Sequence, residues 1–80
     1  MARVSGKSGD VSLIALGDAI RLVRSEREIS QEALADAAGI DRSHMGKIER
    51  GERNVTILNV KRVATALGLT VAALTDRAGI

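Results

Sequence analysis

From residue 12 onward, apolar residues recur at intervals of three and four along the chain, and most of the segments they define end at a glycine. In the first segment this stripe consists of Leu13, Leu16, Ile20 and Val23. Such spacing places apolar side chains on one face of an α-helix. The sequence contains no proline and no strand-like alternation bounded by turns, so no other regular structure competes with helix. The pattern predicts an all-α fold.

Small polar residues indicate where the helices begin. Four predicted helices follow residues whose side chains accept hydrogen bonds from the first turn of a helix, namely Ser30, Asp41, Thr56 and Thr70. Five helices are predicted in all, over residues 12–27, 31–38, 42–50, 57–67 and 71–75. Because the turns between them are short, we expect a compact five-helix bundle. Residues 12–80 should form this single domain, and residues 1–11, which are rich in glycine and serine, are expected to be a flexible arm.

Composition excludes several classes of function. The chain of 80 residues has no Cys and one His, which excludes thiolate and His-rich metal sites, and we expect no metal and no other cofactor. The absence of Phe, Tyr and Trp argues against the stacking platforms that bind single strands and RNA. No apolar run approaches the roughly 20 residues that span a bilayer. We therefore expect a cytoplasmic protein with no membrane partner.

Enzymatic activity is not expected either. Asp41 and His44 are spaced to meet on one helix face, but no nucleophile, paired-acid arrangement or phosphate-binding loop accompanies them. No pocket for a small-molecule effector is evident in so short a chain.

Charge is distributed unevenly although the formal net charge is only +2. Residues 28–41 contain four acidic residues and no basic one. Residues 42–62 contain six basic residues against Glu49 and Glu52. An acidic helix beside a basic segment is the asymmetry expected of a polyanion binder with one working face, although many inert proteins share it.

Residues 31–50 carry the most specific spacing in the chain. Ala35 is small enough to let two helices cross closely, and Gly39 accepts the positive φ that a tight turn requires. Met45 and Ile48 lie three apart, so they can pack back from the second helix of the unit onto the first. This arrangement predicts a helix-turn-helix unit, although any helical hairpin with a glycine turn could show a less exact form of the same spacing.

A pattern of residues along the chain also resembles a known family. The pattern comprises Leu16, Ile20, Arg24, Ser30–Glu32, Leu34–Ala35, Gly39, Ile48–Gly51, Arg53–Asn59 and Ala66–Leu69. With it, residues 13–75 are similar to the helix-turn-helix domain of lambdoid phage repressors and Cro, the xenobiotic-response-element regulators. The resemblance implies the lambda-repressor-like fold with a central helix-turn-helix. Length and residues 51–59 most resemble the small controller proteins of restriction–modification systems, and Met45 departs from the Ile or Val more usual in the family.

The predicted third helix carries the candidate base-reading residues. With Met45 and Ile48 facing inward, the residues left toward solvent or a ligand are Arg42, Ser43, Gly46, Lys47 and Arg50. Residues near the N-terminus of such a helix reach base edges in the major groove. We assign base reading to Arg42, Ser43 and Lys47, with His44 as a further candidate. The alternative is that they form an ordinary solvated helix face.

Phosphate contacts are expected on both sides of this helix. Gln31 begins the second helix, whose free backbone N–H groups bind oxygen, and the resemblance implies the same role for this residue. Arg53, Asn54 and Thr56 lead into the fourth helix and are assigned to phosphate as well. Asn54 and Thr56 would alternatively serve only as turn and cap residues.

The resemblance further implies that Arg24 and Glu49 pair between the first and third helices. Such a pair would lock the third helix to its scaffold and remove the Glu49 charge from the DNA-facing surface. The alternative is a solvent-screened pair worth under about 1 kcal/mol.

These features predict a transcription regulator that binds double-stranded DNA sequence-specifically, as a homodimer on paired half-sites. The resemblance implies a restriction–modification controller protein. The dimer contact is expected in the C-terminal half, whose apolar residues exceed what one small core needs, namely Ile57, Val60, Val63, Leu69, Val71, Leu74 and Ile80. Several of these residues are nonetheless expected to belong to the core. The alternative is an antitoxin-like protein-interaction module whose DNA binding is secondary.

Overall fold

Five α-helices make up most of residues 10–80, the part of the chain that the computed structural model describes. They are α1 (Val11–Glu26), α2 (Gln31–Ala38), α3 (Arg42–Glu49), α4 (Ile57–Ala66) and α5 (Val71–Ala78). The all-α, five-helix fold predicted from the sequence is confirmed. The predicted flexible arm lies almost entirely outside the described residues.

Five helix ends differ from the prediction. Helices α1, α3 and α4 each end one residue earlier than predicted, and the start of α1 and the end of α5 differ as well. Helix α1 begins at Val11, inside the predicted arm, because the carboxylate of Asp10 accepts hydrogen bonds from the N–H groups of Ser12 and Leu13 at 2.9 and 3.3 Å. Helix α5 continues past Thr75 to Ala78. The Thr75 hydroxyl donates to the carbonyl of Val71 in the preceding turn at 3.0 Å, so this polar residue is satisfied within the helix and does not end it.

A single core joins all five helices. Helix α1 packs on α3 and α5, α2 packs on α3 and α4, and α4 packs on α5. The largest fully buried side chains come from every helix and the turn after α4, namely Ile20, Val23, Leu34, Met45, Val63, Leu67 and Leu74. The core is therefore built from aliphatic side chains and the thioether of Met45.

Three of the apolar residues considered for a subunit contact belong to this core, in agreement with the expectation that several of them would. Val60, Val63 and Leu74 are buried within the chain, so they are not available to a second copy. The periodic spacing on α4 that suggested a contact surface reflects the packing of α4 on α2 and α5.

Gly17 is the point where α1 and α3 come closest. A Cβ atom at this position would lie 2.4 Å from the carbonyl oxygen of Glu49 and 2.7 Å from that of Ile48. Both contacts are with backbone, which cannot rotate away. The glycine is required because only a residue without a side chain lets the end of α3 rest on α1.

No single helix among residues 10–80 is long and apolar enough to cross a membrane. Helices α4 and α5 satisfy the length and composition criteria only when taken together, and they meet at a bend of 94°.

The contact at Gly17 makes Gly17→Ala destabilising. We expect the free energy of unfolding to fall by about 1–3 kcal/mol, as for overpacked core positions. Urea denaturation followed by circular dichroism measures this loss.

The matched control is Gly46→Ala on α3, where the nearest atom to an added Cβ is the end of a flexible side chain, Arg50 Nη1 at 3.1 Å. This variant should be close to neutral, since helix propensity favours Ala over Gly by up to about 1 kcal/mol. Equal losses for the two variants would contradict the role assigned to Gly17.

Candidate nucleic-acid interface

Helices α2 and α3 form the predicted helix-turn-helix unit. Ser30 caps α2 through a 3.0 Å hydrogen bond from the N–H of Ala33, and Gly39 ends α2 with φ 68° and ψ 32°. Ile40 follows as a buried residue whose N–H donates to the carbonyl of Ala35 at 2.9 Å. Asp41 then caps α3. The turn is tight because Gly39 adopts the left-handed backbone conformation, which changes the chain direction immediately after α2.

The inner face of α3 is buried as the spacing predicts. Met45 and Ile48 are almost inaccessible to solvent, and they pack in the same core as Leu34 and Ala35 of α2. The opposite face of α3 is thereby turned outward.

A bidentate ion pair connects the end of α3 to α1. Arg24 Nε and Nη2 donate to the two carboxylate oxygens of Glu49 at 2.8 and 2.9 Å, and Arg24 Nη1 donates to the carbonyl of Ile29 at 3.1 Å. The side chain of Glu49 is 3% exposed and that of Arg24 is 18% exposed. A carboxylate this deeply buried needs a charged, hydrogen-bonded partner, and Arg24 supplies one.

Gln31 extends this pair, which the sequence did not indicate. Its Nε2 donates to Glu49 Oε1 at 3.2 Å. The first residue of α2 is therefore tied to the last residue of α3. The amide N–H₂ of Gln31 is partly engaged inside the protein, and the backbone N–H groups of the first turn of α2 remain as the natural oxygen-binding donors.

An open groove with a volume of about 560 Å³ lies between the outer face of α3 and the start of α2. It is lined by Gln31, Asp41, Arg42, Ser43, Gly46, Lys47 and Arg50. The structure thus brings together three of the candidate base-reading residues, Arg42, Ser43 and Lys47, with Gln31 at the same groove. His44 is half-buried and does not line it.

Arg42 is held only weakly at the rim of this groove. Its Nη1 lies 3.9 Å from Glu32 Oε2, and both side chains are mostly exposed. An exposed ion pair at this distance contributes at most about 1 kcal/mol. The guanidinium can therefore leave Glu32 for a ligand at little cost.

Gly46 lines the groove but is not itself exposed, whereas the helical period predicts it in the middle of the exposed face. It is buried, because the side chain of Arg50 folds back one turn and covers it. Sequence periodicity places Cβ atoms around a helix but does not show where a long side chain comes to rest.

Arg50 is fixed in this position by Glu52. Arg50 Nε donates to Glu52 Oε2 at 2.9 Å, and Arg50 Nη2 donates to Glu52 Oε1 at 3.3 Å. These hydrogen bonds are the main reason that the pKa of Arg50 is raised and the pKa of Glu52 is lowered. Sequence reasoning gave Arg50 no role, and the only signal for one was an acidic residue two positions later.

The remaining phosphate candidates lie outside the groove, between α3 and α4. Arg53 and Asn54 are exposed on this turn. Thr56 caps α4 by accepting a hydrogen bond from the N–H of Asn59 at 3.1 Å. Its hydroxyl oxygen therefore has the structural cap role in addition to any contact with a ligand.

The sequence profile of the helix-turn-helix family matches residues 20–74. The chain belongs to this family. It is 38% identical to control protein C.SmaI of Serratia marcescens over 65 residues, which cover 81% of this chain and 77% of that protein. It is 37% identical over 59 residues to the immunity repressor of Bacillus phage phi105, covering 74% of this chain and 41% of the repressor. The predicted similarity to phage repressors and controller proteins is confirmed.

Solved structures agree with this assignment. The restriction–modification controller protein C.AhdI from Aeromonas hydrophila superimposes with a TM-score of 0.79 at 40% identity, over 81% of this chain and 98% of that one. The controller protein C.Esp1396I, solved as a tetramer with its natural 35 base-pair operator, superimposes with a TM-score of 0.80 at 26% identity, over 86% of this chain and 91% of that one. The chain is a helix-turn-helix DNA-binding regulator similar to these controller proteins.

The buried pair makes Glu49→Ala strongly destabilising, because it leaves the Arg24 guanidinium without its charged partner. We expect a loss of about 3 kcal/mol, at the lower end of the range for a broken buried pair. Urea denaturation gives the value.

Glu52→Ala is the control, since it removes the partner of an arginine whose side chain is 53% exposed. Its cost should be small, because an ion pair this exposed contributes little to stability. If both substitutions cost the same, the Arg24–Glu49 pair does not hold α3 in place.

Proposed function

We propose that the protein is a transcription regulator that reads duplex DNA by inserting α3 into the major groove. The observation that carries this proposal is the groove where Arg42, Ser43 and Lys47 lie together on the face of α3 opposite its buried side. The similarity to controller proteins supports a role in controlling a restriction–modification system.

Each base-reading residue has a distinct chemistry. Arg42, the first residue of α3, offers two parallel donors that match O6 and N7 of guanine. Lys47 offers a point charge to the same acceptors, and the Ser43 hydroxyl accepts or donates. His44, half-buried beside them, is a candidate for contact at the edge of the site.

Phosphate contacts set the register of α3 on the duplex. The N-terminus of α2, with Gln31 as its first residue, faces the groove and presents backbone N–H groups. Arg53 and Asn54 are exposed on the turn between α3 and α4, just before the N-terminus of α4 that Thr56 caps. We assign the N-termini of α2 and α4, the helices that precede and follow α3 in the chain, to the two phosphate backbones that border a major groove.

The regulator is proposed to act as a homodimer on two half-sites, with its reading helices about 34 Å apart. Apolar side chains that the core leaves uncovered support a contact in the C-terminal half. Ile57 is 73% exposed and Ile80 is 56% exposed, while Leu69 and Val71 are half-buried. We call these four residues the C-terminal apolar surface.

The antitoxin-like alternative is not favoured, because the relatives described above are control and repressor proteins. We further propose that the protein acts on DNA in the cytoplasm and catalyses no reaction.

Arg42→Ala and Arg53→Ala separate base reading from phosphate contact. On a duplex obtained by affinity selection from random sequences, Arg42→Ala should lose about 1–3 kcal/mol and relax base preference. Arg53→Ala should weaken binding to selected and mixed-sequence duplexes alike and reduce the salt slope by about 1. Fluorescence anisotropy at several salt concentrations measures both effects. Identical behaviour of the two variants would reject the division of roles, and absence of binding by the unchanged protein at low salt would reject the function.

Val71→Asp tests the C-terminal apolar surface. An acidic residue at the first position of α5 favours the helix, so the fold should persist while the buried charge opposes association. Sedimentation equilibrium should show a shift from dimer to monomer. Leu22→Asp, at an apolar residue on α1 that is 55% exposed, is the control and should remain dimeric. A dimer that survives Val71→Asp, or that is lost equally in both variants, would place the contact elsewhere.

A further inference from the structure

The guanidinium of Arg50 lies closer to the middle of α3 than the residue's position at the helix C-terminus suggests. The side chain folds back so that Nη1 is 3.1 Å from where a Cβ of Gly46 would be, and Gln31 Oε1 is 3.6 Å from the same point. Gly46 thus provides the space that the guanidinium occupies. The folded side chain lines the same groove as Arg42, Ser43 and Lys47.

Glu52 occupies one edge of this guanidinium and leaves the other edge free. The carboxylate accepts from Nε and from one hydrogen of Nη2. A guanidinium has five N–H donors in a planar fork, so both hydrogens of Nη1 and the second hydrogen of Nη2 remain. Within residues 10–80, Nη1 makes no hydrogen bond. This free edge has the geometry that grips two acceptors side by side.

The charge of the pair decides which acceptors suit it. Arg50 and Glu52 together carry no net charge, and the carboxylate repels any phosphate that approaches within a few ångströms. A base edge is neutral, so its O6 and N7 acceptors gain the full benefit of the donors without that repulsion. Arg53 differs in this respect, since it takes part in no ion pair among residues 10–80. The pairing therefore favours a base for Arg50 and a phosphate for Arg53.

We propose that Arg50 is a further base-reading residue, directed at a guanine, and that Glu52 is a positioning residue which holds its free edge toward the groove. This inference rests on the proposed function, since it assumes that α3 enters the major groove. It assigns to the Gly46–Arg50–Glu52 unit a part of the sequence specificity that the helical period alone does not reveal.

The test measures the ratio of two affinities, for the affinity-selected duplex and for a mixed-sequence duplex at the same salt concentration, using the full chain. Arg50→Ala should reduce affinity for the selected duplex about tenfold or more and change affinity for the mixed duplex by no more than about twofold. Arg50→Lys, which keeps the charge but has no planar fork, should fail to restore the ratio. Equal losses on both duplexes would show a phosphate contact and overturn the proposal.

A double-mutant cycle tests Glu52 separately. Glu52→Ala in the unchanged background should lower the ratio, because the guanidinium loses its orientation while mixed-sequence binding gains from the removed negative charge. In the Arg50→Ala background the same substitution should raise both affinities by a similar factor and leave the ratio unchanged. A change in the ratio of the same size in both backgrounds would make Glu52 a general electrostatic effect and overturn its positioning role.

The substitutions also distinguish this inference from the function on which it depends. If the unchanged protein binds selected DNA and Arg42→Ala relaxes its base preference while Arg50→Ala does not, the regulator stands and the inference about Arg50 falls. If the unchanged protein binds no duplex at low salt, both fall. Because the Arg50 and Glu52 side chains are 53% and 40% exposed, the variants should fold, and thermal unfolding checks that they do.

Discussion

The buried pair between Arg24 and Glu49 is the interaction on which the DNA-facing surface depends. Helix α3 has only eight residues, which is too few for an isolated helix to be stable in water. Its inner face supplies Met45 and Ile48 to the core, but apolar contacts are not directional. The bidentate hydrogen bonds to Glu49 are directional, and together with the backbone contact at Gly17 they fix where α3 ends and how it lies across α1.

The same pair shapes the electrostatics of the groove. Glu49 would be a negative charge beside the base-reading residues if it faced outward, yet its side chain is 3% exposed and hydrogen-bonded to Arg24 and Gln31. Glu52 stays near the surface, but its charge is matched by Arg50. The acidic residues within and just after α3 are thus paired with arginines, and the other charged residues that line the groove are Asp41, Arg42 and Lys47.

Local signals in the sequence were enough to predict the fold. Capping residues such as Ser30 and Thr70, and the glycine at position 39, act within one turn of the chain, so their effects can be read from neighbouring residues. The packing requirement at Gly17 was also predictable, because a glycine inside a helix costs about 1 kcal/mol relative to Ala and needs a reason. The C-terminal end of α5 was predicted too early, because the sequence does not show whether the Thr75 hydroxyl bonds within its own helix or marks the helix end.

The candidate site was less predictable, for a physical reason. Which face of α3 is apolar follows from spacing, so the grouping of Arg42, Ser43 and Lys47 could be inferred. Side chains with several rotatable bonds settle according to partners elsewhere, and neither the fold-back of Arg50 nor the attachment of Gln31 to Glu49 follows from any period. The division of apolar residues on α4 between core and surface likewise depends on how α2 and α5 cover it.

Helix α1 touches both α3 and α5, and at Gly17 the contact with α3 is backbone against backbone. In the proposed dimer α1 would connect the subunit contact to the reading helix rigidly, so the distance and angle between the two reading helices would change little. An operator whose half-sites are slightly out of phase would then have to overwind or unwind to fit, since the protein yields less than the duplex does. The protein would then favour operators whose central base pairs, which no side chain contacts, are easily overwound or unwound.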